Sequence, residues 1–347
     1  MIIIKDKSYS IESLKKTCAL NLWDNSLEDW EISFWMFLSF WFDTSIDEIE
    51  IKTSGSTGKP KTISHKKEYM YASALATCKY FRLDKTKMAL LCLPLSSIGG
   101  VMMLVRSLVS GMNLIIGKPK SNPLKYLNQN IDFIAMVPMQ VQKSFDESLS
   151  KWSFIKTVII GGGKVSNSLK NTIIENKINA YSTFGMTETI SHIALNKIGK
   201  NNIYTGLENC YFSTNSDNCL IISAVHLGVE NIHTNDVIDL LDNKSFIWLG
   251  RKDNAIETGG IKILPEIVEQ KIAHLFTERF FIGSINDKIL NNKIVLLIEK
   301  ESSIKIEDLK EYLNKFECPK EIYSLDKFIE TKSGKLDRHS TIRLIKN

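Results

Sequence analysis

The sequence predicts an α/β protein with two domains: a large N-terminal one built on mainly parallel sheet layers plus a β region, and a small α+β C-terminal one. Three observations support this fold class: the length of 347 residues, a strand–helix alternation between residues 69 and 185, and a change of pattern after residue 200. A chain of this length usually divides into more than one domain. The polar, turn-prone stretch 250–254 predicts the boundary, which gives domains 1–252 and 253–347.

The segment from residue 69 to residue 185 alternates between short apolar runs, typical of strands, and longer amphipathic stretches, typical of helices. This rhythm predicts βαβ units and a largely parallel sheet, with functional residues in the loops that follow the strands. The predicted strands are Met88–Leu93, Asn113–Ile116, Phe133–Val137, Thr157–Ile160 and Ala180–Thr183. The predicted helices are Tyr69–Tyr80, Gly100–Ser110, Pro123–Asn128, Met139–Leu149 and Ser166–Glu175.

The segment after residue 200 has a different character. Short alternating runs, such as Cys219–Ala224 and Phe246–Trp248, predict an antiparallel β region. The last part of the chain predicts a helix that begins near Pro265, a strand at Lys293–Ile298, a helix at Ile306–Asn314 and a polar loop at 331–335.

The composition is that of a globular protein, with 44% hydrophobic and 24% charged residues. A net charge of +5, spread along the chain, does not indicate a nucleic-acid partner. The longest apolar run, Phe34–Phe42, is about half of a membrane span, and no N-terminal signal is visible, so we expect no membrane partner and a cytoplasmic location. The cysteines lack metal-ligand spacing and predict free thiols: Cys18, Cys78, Cys92, Cys210, Cys219 and Cys318. The sequence leaves open whether the chain forms a homodimer.

The stretch 53–61 is the clearest functional signal in the sequence. It reads Thr53, Ser54, Gly55, Ser56, Thr57, Gly58, Lys59, Pro60 and Lys61. Its glycines let backbone N–H groups approach an anion, and its hydroxyls and lysines add donors and charge, so it predicts a phosphate-binding loop. A P-loop is excluded because Lys59 is followed by Pro60 and because Thr53 stands where glycine is required. The alternative is a solvated surface loop.

The stretch 181–189 also carries groups suited to a nucleotide. Phe184 and Gly185 are followed closely by Thr187 and Glu188. The Thr187 hydroxyl could contact a phosphate, and the Glu188 carboxylate is a ligand type that Mg²⁺ prefers alongside phosphate oxygens. The alternative for a Thr-Glu pair is a helix cap.

The apolar strand predicted at 157–160 ends in three glycines, Gly161, Gly162 and Gly163. The absence of side chains there leaves a slot in which a planar adenine ring could lie against the backbone. A tight turn after a buried strand is the alternative explanation, and both can hold at once.

Together these stretches resemble the signature motifs of the adenylate-forming superfamily, which includes acyl- and aryl-CoA ligases, firefly luciferase and peptide-synthetase adenylation domains. The family's phosphate loop reads Ser/Thr-Ser/Thr-Gly-Ser/Thr-Thr-Gly-x-Pro-Lys, and every position of 53–61 fits. The resemblance implies that this loop binds the β- and γ-phosphates of ATP, that Thr187 contacts the α-phosphate, and that Glu188 binds Mg²⁺. It also implies that the C-terminal domain is mobile and that CoA is a co-substrate.

Two further matches concern the ribose and the domain hinge. The stretch 233–236 resembles the family's Thr-Gly-Asp motif, with Asn235 in place of glycine, and the stretch 250–254 resembles Gly-Arg-x-Asp-x. The resemblance implies that Asp236 and Arg251 contact the ribose hydroxyls and that Asp253 is the hinge about which the small domain rotates.

The last matches lie in the C-terminal domain. Gly259 and Gly260 correspond to glycines that line the approach of the thiol. The stretch 333–338 matches Ser/Thr-Gly-Lys-Ile/Val/Leu-x-Arg, which implies that Lys335 is the catalytic lysine that bridges the substrate carboxylate and the α-phosphate. A surface turn is the alternative for an isolated Ser-Gly-Lys.

The stretches 100–106 and 184–194 look like those of the short o-succinylbenzoate–CoA ligases of bacterial menaquinone biosynthesis. Only 52 residues precede the phosphate loop, so we expect a truncated N-terminal subdomain. The resemblance implies an acid pocket near Ser97, Gly99, Thr183 and His192. The family often has histidine where this chain has Ser97, so the group that binds a second carboxylate stays open; Arg106 and His192 are candidates, with a structural role as the alternative for each.

The sequence leaves three alternative functions. The first is an ATP-dependent acid–CoA ligase that forms an acyl-adenylate, with o-succinylbenzoate as the acid. The second is an adenylating ligase for another acid or for a carrier-protein thiol. The third is a catalytically silent nucleotide-binding protein, which the presence of Glu188 and Lys335 argues against.

Overall fold

A mixed sheet with a parallel centre organises the first half of the chain. The computed structural model describes residues 1–5, 7–52, 61–331 and 336–345. The strands of this half are β1 Ile2–Ile4, β2 Lys7–Tyr9, β3 Glu48–Lys52, β4 Thr62–Lys66, β5 Met88–Leu91, β6 Asn113–Ile116, β7 Phe133–Met136, β8 Val158–Ile160, β9 Ala180–Gly185, β10 His192–Lys197 and β11 Ile203–Gly206. They follow the order β11-β10-β9-β8-β7-β5-β6-β1-β2, with β3 and β4 in a separate hairpin. The run from β9 to β1 is parallel, as the βαβ pattern predicts.

Helices connect these strands and carry the residues of the candidate site. They are α1 Ile11–Asn21, α2 Asp29–Phe42, α3 Lys67–Phe81, α4 Ile98–Ser110, α5 Pro138–Ser148 and α6 Asn167–Glu175. The α4 helix begins at a side-chain cap, because the Ser97 hydroxyl accepts a hydrogen bond from the Gly100 N–H at 3.3 Å. It ends at Gly111, whose φ of +73° few side chains adopt. The buried faces of β5, β7 and β8 pack with α5 and α6 in one apolar cluster.

The chain divides into two compact units: Met1–Tyr211 with Ser223–Glu230, and Phe212–Ile222 with Asn231–Asn347. The remaining strands are β12 Tyr211–Thr214, β13 Cys219–Ala224, β14 Val229–Asp242, β15 Ser245–Arg251, β16 Ile256–Thr258, β17 Ile261–Ile263, β18 Phe280–Asp287, β19 Asn291–Glu299 and β20 Glu321–Leu325. The remaining helices are α7 Pro265–Ile272, α8 Ile306–Leu309 and α9 Arg338–Arg343. β14 and β15 pair antiparallel, as predicted. β18, β19 and β20 form a sheet that packs with α7 and α8 around an apolar core.

The mixed α/β class is confirmed, but two predicted helices are wrong. The segment 123–128 forms turns, in part because the Asn122 side chain accepts a hydrogen bond from the Leu124 N–H at 3.2 Å and so stabilises a local turn. The predicted helix 306–314 ends at Leu309, and turns follow it; the Asn314 carboxamide accepts from the N–H groups of Phe316 and Glu317. The six cysteines are buried thiols and form no disulfide bond, as expected. Within the described ranges, no helix combines the length and apolar character needed to cross a bilayer.

Candidate functional site

The three predicted adenine-slot glycines follow β8 at the carboxyl end of the parallel strands. A Cβ at Gly161 would lie 2.4 Å from the Thr183 Oγ1 atom, and Gly162 has a φ of +77°. The Thr183 hydroxyl donates to the Ile160 carbonyl at 3.3 Å, so it links β9 to β8. Close approach of the two strands therefore explains the glycine at 161, and the roles of Gly161 and Gly162 toward adenine stay predictions.

Replacing Gly161 with alanine should destabilise the fold by about 1–3 kcal/mol, because the new methyl group collides with the Thr183 hydroxyl. Gly163→Ala is the matched control: its Cβ would meet Pro138 atoms at 3.7 and 3.8 Å, which are ordinary contacts. That variant should be neutral or slightly more stable, since alanine restricts the unfolded chain. Urea unfolding of both variants measures the difference, and equal free energies of unfolding would contradict this account of Gly161.

The turn that carries Thr187 and Glu188 is held by hydrogen bonds from its own backbone and from Thr189. The Thr189 hydroxyl accepts from the Met186 N–H at 3.0 Å and donates to the Ser191 carbonyl at 2.8 Å. Ile190 follows with φ 65° and ψ −44°, and the Ser191 N–H donates to the Thr189 carbonyl at 2.7 Å. This is a γ-turn centred on a buried β-branched residue, a conformation that persists only where the surroundings enforce it.

Glu188 is exposed, and among the described residues it forms no ion pair with lysine or arginine. No group of three or more His, Cys, Asp or Glu side chains forms a metal centre within the same part of the chain. One carboxylate fits Mg²⁺ in the way this ion is usually bound, with substrate phosphates and water completing the shell. The residues present therefore fit the metal predicted at Glu188.

His65, on β4, is a neighbour of this turn that the motif analysis missed. Its side chain is only 6% exposed, and burial lowers the pKa of His65, while the charge of Glu188 and a hydrogen bond to the Thr187 backbone oppose that shift. Its Nε2 atom has no hydrogen-bond partner in the described part of the chain. The sequence connects His65 to the site only by its position four residues after Lys61, and that spacing belongs to none of the motifs described above.

A buried polar cluster lies directly after the γ-turn. Arg106, on α4, is 1% exposed, and its Nη2 donates to the Ser191 Oγ at 3.0 Å and lies 3.5 Å from the His192 Nδ1. The His192 Nε2 lies 3.3 Å from the Thr77 Oγ1 on α3. The structure therefore brings together two candidates for the second carboxylate, Arg106 and His192, which are far apart in the sequence.

The charge of Arg106 is poorly compensated. Its Nε has no hydrogen-bond partner, and no carboxylate stabilises its charge, among the residues that the structure describes. Burial lowers the pKa of Arg106 to about 10, and Cys78 opposes that shift. Burial and the Arg106 charge hold the pKa of His192 well below its usual range, so the imidazole is neutral near pH 7.

The other predicted pocket residues have identifiable structural contacts. The Ser97 hydroxyl, besides capping α4, donates to the Pro94 carbonyl at 2.8 Å. A Cβ at Gly99 would lie 3.2 Å from the Leu93 side chain. Phe184, which was predicted to contact the nucleotide and not the acid, packs edge-to-face against Tyr204, with ring centroids 5.7 Å apart. Their roles toward the substrate stay predictions.

The predicted ribose residues lie close to one another in the second unit. The Asp236 Oδ1 accepts from the Trp248 Nε1 at 2.8 Å, and the Asp236 Oδ2 lies 3.8 Å from the Arg251 Nη1. Arg251 also pairs with Asp253, the predicted hinge residue, at 2.5 Å. The Asn235 side chain donates to the other Asp253 oxygen at 2.9 Å, so the residue that replaces the motif's glycine contacts the predicted hinge residue directly. Trp248 was not singled out by any motif.

Gly259 and Gly260 form the two-residue turn of the β16–β17 hairpin. Their φ values are +54° and +78°, and the flanking residues Thr258 and Ile261 pair across the turn. Two consecutive positive φ values are typical of a type I′ hairpin turn, which favours glycine. Their predicted place along the approach of the thiol stays a prediction.

Several predicted site residues lie outside the described residues: Thr53, Ser54, Gly55, Ser56, Thr57, Gly58, Lys59 and Lys335. Lys61, the last residue of the predicted phosphate loop, is exposed and directly precedes β4. On either side of the gap at 332–335, Glu330 and Leu336 form an antiparallel bridge.

Comparison with known proteins gives a consistent result. A profile of the AMP-binding enzyme family matches residues 51–208. A 2-succinylbenzoate–CoA ligase from Geobacillus sp. (strain WCH70) is 24% identical over 338 residues, covering 85% of this chain and 68% of that protein.

Two solved structures have a similar fold. The crystal structure of an AMP-forming acyl-CoA synthetase/AMP-acid ligase II-like protein from Dyadobacter fermentans is 30% identical, with 95% of this chain and 98% of that chain covered and a TM-score of 0.64. An o-succinylbenzoate–CoA synthetase from Bacillus subtilis, in complex with ATP and magnesium, shares the fold with a TM-score of 0.72 at 21% identity; 98% of this chain and 83% of that chain are covered.

Proposed function

The chain belongs to the AMP-forming acyl-CoA ligases of the adenylate-forming superfamily, and we propose that the acid it activates is o-succinylbenzoate. The observation that carries this proposal is the buried Arg106 guanidinium, which has hydroxyl and imidazole neighbours but no carboxylate partner among the described residues. A buried charge without a partner is costly, so an anionic ligand gives it a reason to be present. A guanidinium also matches a carboxylate in geometry.

o-Succinylbenzoate has two carboxylates, and only one of them is activated. The other needs a cation in a pocket closed to water, which is the role we assign to Arg106, with Ser191 and His192 orienting it. Several of the chain's relatives are named 2-succinylbenzoate–CoA ligases, which supports the same acid. The product would serve menaquinone biosynthesis, as in the ligases that the sequence resembles.

The proposed reaction has two steps. A carboxylate oxygen attacks the α-phosphorus of ATP and pyrophosphate leaves; the CoA thiolate then attacks the acyl carbon and AMP leaves. The first step brings several anionic groups together, so catalysis depends mainly on positioning and charge neutralisation.

We assign each nucleotide contact to residues of this chain. Thr187 binds the α-phosphate, Lys335 bridges the α-phosphate and the carboxylate, and the loop 53–61 binds the departing pyrophosphate. Asp236 and Arg251 bind the ribose hydroxyls. When bound at Glu188, Mg²⁺ would neutralise charge on the phosphate oxygens.

The proposed function is tested by pyrophosphate release in the presence and absence of CoA. The acids are o-succinylbenzoate, benzoate, phenylacetate and medium-chain fatty acids. We expect o-succinylbenzoate to give the highest kcat/KM and CoA to be converted to a thioester. A higher kcat/KM with another acid would make that acid the substrate in place of o-succinylbenzoate. Release of pyrophosphate without consumption of CoA would indicate a carrier-protein thiol as the acceptor.

Replacing Arg106 with methionine should lower kcat/KM for o-succinylbenzoate by about 10- to 100-fold, because a charge-assisted hydrogen bond is lost. Two monoacids show which carboxylate Arg106 binds: 3-benzoylpropionate lacks the ring carboxylate, and 2-butyrylbenzoate lacks the chain carboxylate. The monoacid that is turned over lacks the carboxylate that Arg106 binds. The wild type should therefore have a lower kcat/KM for this monoacid than for the diacid, and the variant should have similar values for both. Because the substitution removes an uncompensated buried charge, the free energy of unfolding should not fall. Equal loss for the diacid and for the monoacid that is turned over, together with lower stability, would make Arg106 structural.

A further inference from the structure

The pairing of β14 and β15 contains an irregularity beside Asp236. Asp236 pairs with Arg251 and Val237 with Gly250, but Ile238 pairs with Trp248, so Leu249 is an extra residue on β15. This is a β-bulge, a device that redirects side chains next to functional sites.

The bulge determines which residue faces Asp236. Side chains alternate along a strand, and residues paired across antiparallel strands share a face. Trp248 stands three residues from Arg251, so a regular strand would place the two on opposite faces. Because Leu249 is extra, Trp248 lies on the same face as Arg251 and Asp236.

The two oxygens of Asp236 have different neighbours on that face. The Trp248 indole N–H donates to Oδ1 at 2.8 Å, and the Arg251 Nη1 lies 3.8 Å from Oδ2. The Asp236 backbone N–H donates to the Thr234 hydroxyl at 3.1 Å, which fixes the backbone that carries the carboxylate. The side chain is 10% exposed, so its orientation is set by the protein rather than by water.

We propose that Trp248 is a positioning residue for nucleotide binding, whose indole N–H holds the Asp236 carboxylate in the orientation that accepts hydrogen bonds from the 2′- and 3′-hydroxyls of the ribose. The proposal rests on the assignment of Asp236 to the ribose under the proposed function. An ionised carboxylate offers about four acceptor sites, so one bond from Trp248 leaves capacity for both hydroxyls.

The chemistry of the indole suits this role. Its N–H is only a donor, so it cannot compete with the ribose by accepting, and its ring has few rotatable bonds. Burial raises the pKa of Asp236, and the hydrogen bond from Trp248 opposes that rise, which favours the ionised acceptor. Arg251 acts in the same direction, and the charge of Asp253 acts against it.

The test compares the affinities of AMP and 2′,3′-dideoxy-AMP by calorimetry, which needs neither an acid nor turnover. The wild type should bind AMP about 10- to 100-fold more tightly, the range expected for hydrogen bonds to a charged group. In Trp248→Phe this ratio should fall at least about threefold, with the affinity for the dideoxy nucleotide unchanged. Trp23→Phe is the matched control, because Trp23 is 84% exposed, and it should behave as the wild type.

Each other outcome is decisive. An unchanged ratio in Trp248→Phe, or an equal loss of affinity for both nucleotides, would overturn the positioning role and leave the proposed function standing. A wild type that binds the two nucleotides equally would remove the ribose assignment of Asp236 itself. If Trp248→Phe does not fold, Trp248→Leu takes its place, since it keeps an apolar side chain and has no hydrogen-bond donor.

Discussion

A Lys335→Ala variant is expected to lose at least about 10²- to 10³-fold in the rate of acid-dependent ATP–pyrophosphate exchange, the loss typical of one removed charge-stabilising donor. The variant should still convert a pre-made acyl-adenylate and CoA to the thioester at close to the wild-type rate. The reason is that we assign the lysine to the first step only, where it bridges two anionic groups. Rapid-quench measurement of the two half-reactions gives both rates.

Lys327→Ala is the control for that experiment, because Lys327 is an exposed lysine in the same part of the chain. Both half-reactions of this variant should keep the wild-type rate. Equal damage to the two half-reactions in Lys335→Ala would show that Lys335 has no specific part in adenylation.

Breaking the buried ion pair between Arg338 and Glu269 should destabilise the fold by about 3–5 kcal/mol, because the remaining charge would be left without its partner. The pair is bidentate, with N–O distances of 2.6 and 3.0 Å, and the Glu269 side chain is only 6% exposed. Both residues also bond the backbone of Ile282, which ties α7, β18 and the start of α9 together. Arg338→Met and Glu269→Gln should therefore unfold at much lower urea concentrations.

Two controls separate burial from charge. Replacing both partners with apolar residues, Glu269→Leu with Arg338→Met, should recover part of the lost stability, since neither charge of the bidentate pair remains. The recovery should be incomplete because the buried Glu266 carboxylate, 4.0 Å from Arg338, loses its neighbour. Lys310→Ala, which breaks the exposed pair with Glu307 at 3.7 Å, should change stability by less than about 1 kcal/mol. A small effect of Arg338→Met would contradict the importance of this contact. Arg338 stands three residues after Lys335, so we also expect its loss to slow adenylation.

Much of the fold could be predicted from local pattern. Asn113–Ile116 and Cys219–Ala224 have the predicted bounds, because apolar runs between turn residues leave little choice of structure. The helix predictions for 123–128 and 310–314 were wrong because side-chain hydrogen bonds of asparagine and short-range turn contacts outweigh a weak helical pattern. Such bonds depend on rotamers that periodicity does not report.

The candidate site also has a part that the sequence predicts and a part that it does not. Motifs predicted roles for Glu188, Asp236 and Arg251 because these residues stand in recognisable strings, and those roles stay predictions. The contacts within the buried polar cluster were not foreseeable: Arg106 and Ser191 are 85 positions apart, and Thr77 and His192 are 115 apart. Trp248 was missed for a sharper reason, since one extra residue in β15 reverses the face on which it lies.

The γ-turn at Ile190 has a consequence for how new acid preferences can evolve. Only Thr189 and Ile190 separate Glu188 from Ser191, and their backbone is held in an uncommon conformation. If Arg106 and Ser191 bind the acid, as we propose, a substitution that shifts Ser191 to accommodate a different acid would also displace the turn that carries Thr187 and Glu188. Inherited changes in specificity should therefore accumulate on the α4 side of the cluster, where they leave that turn untouched.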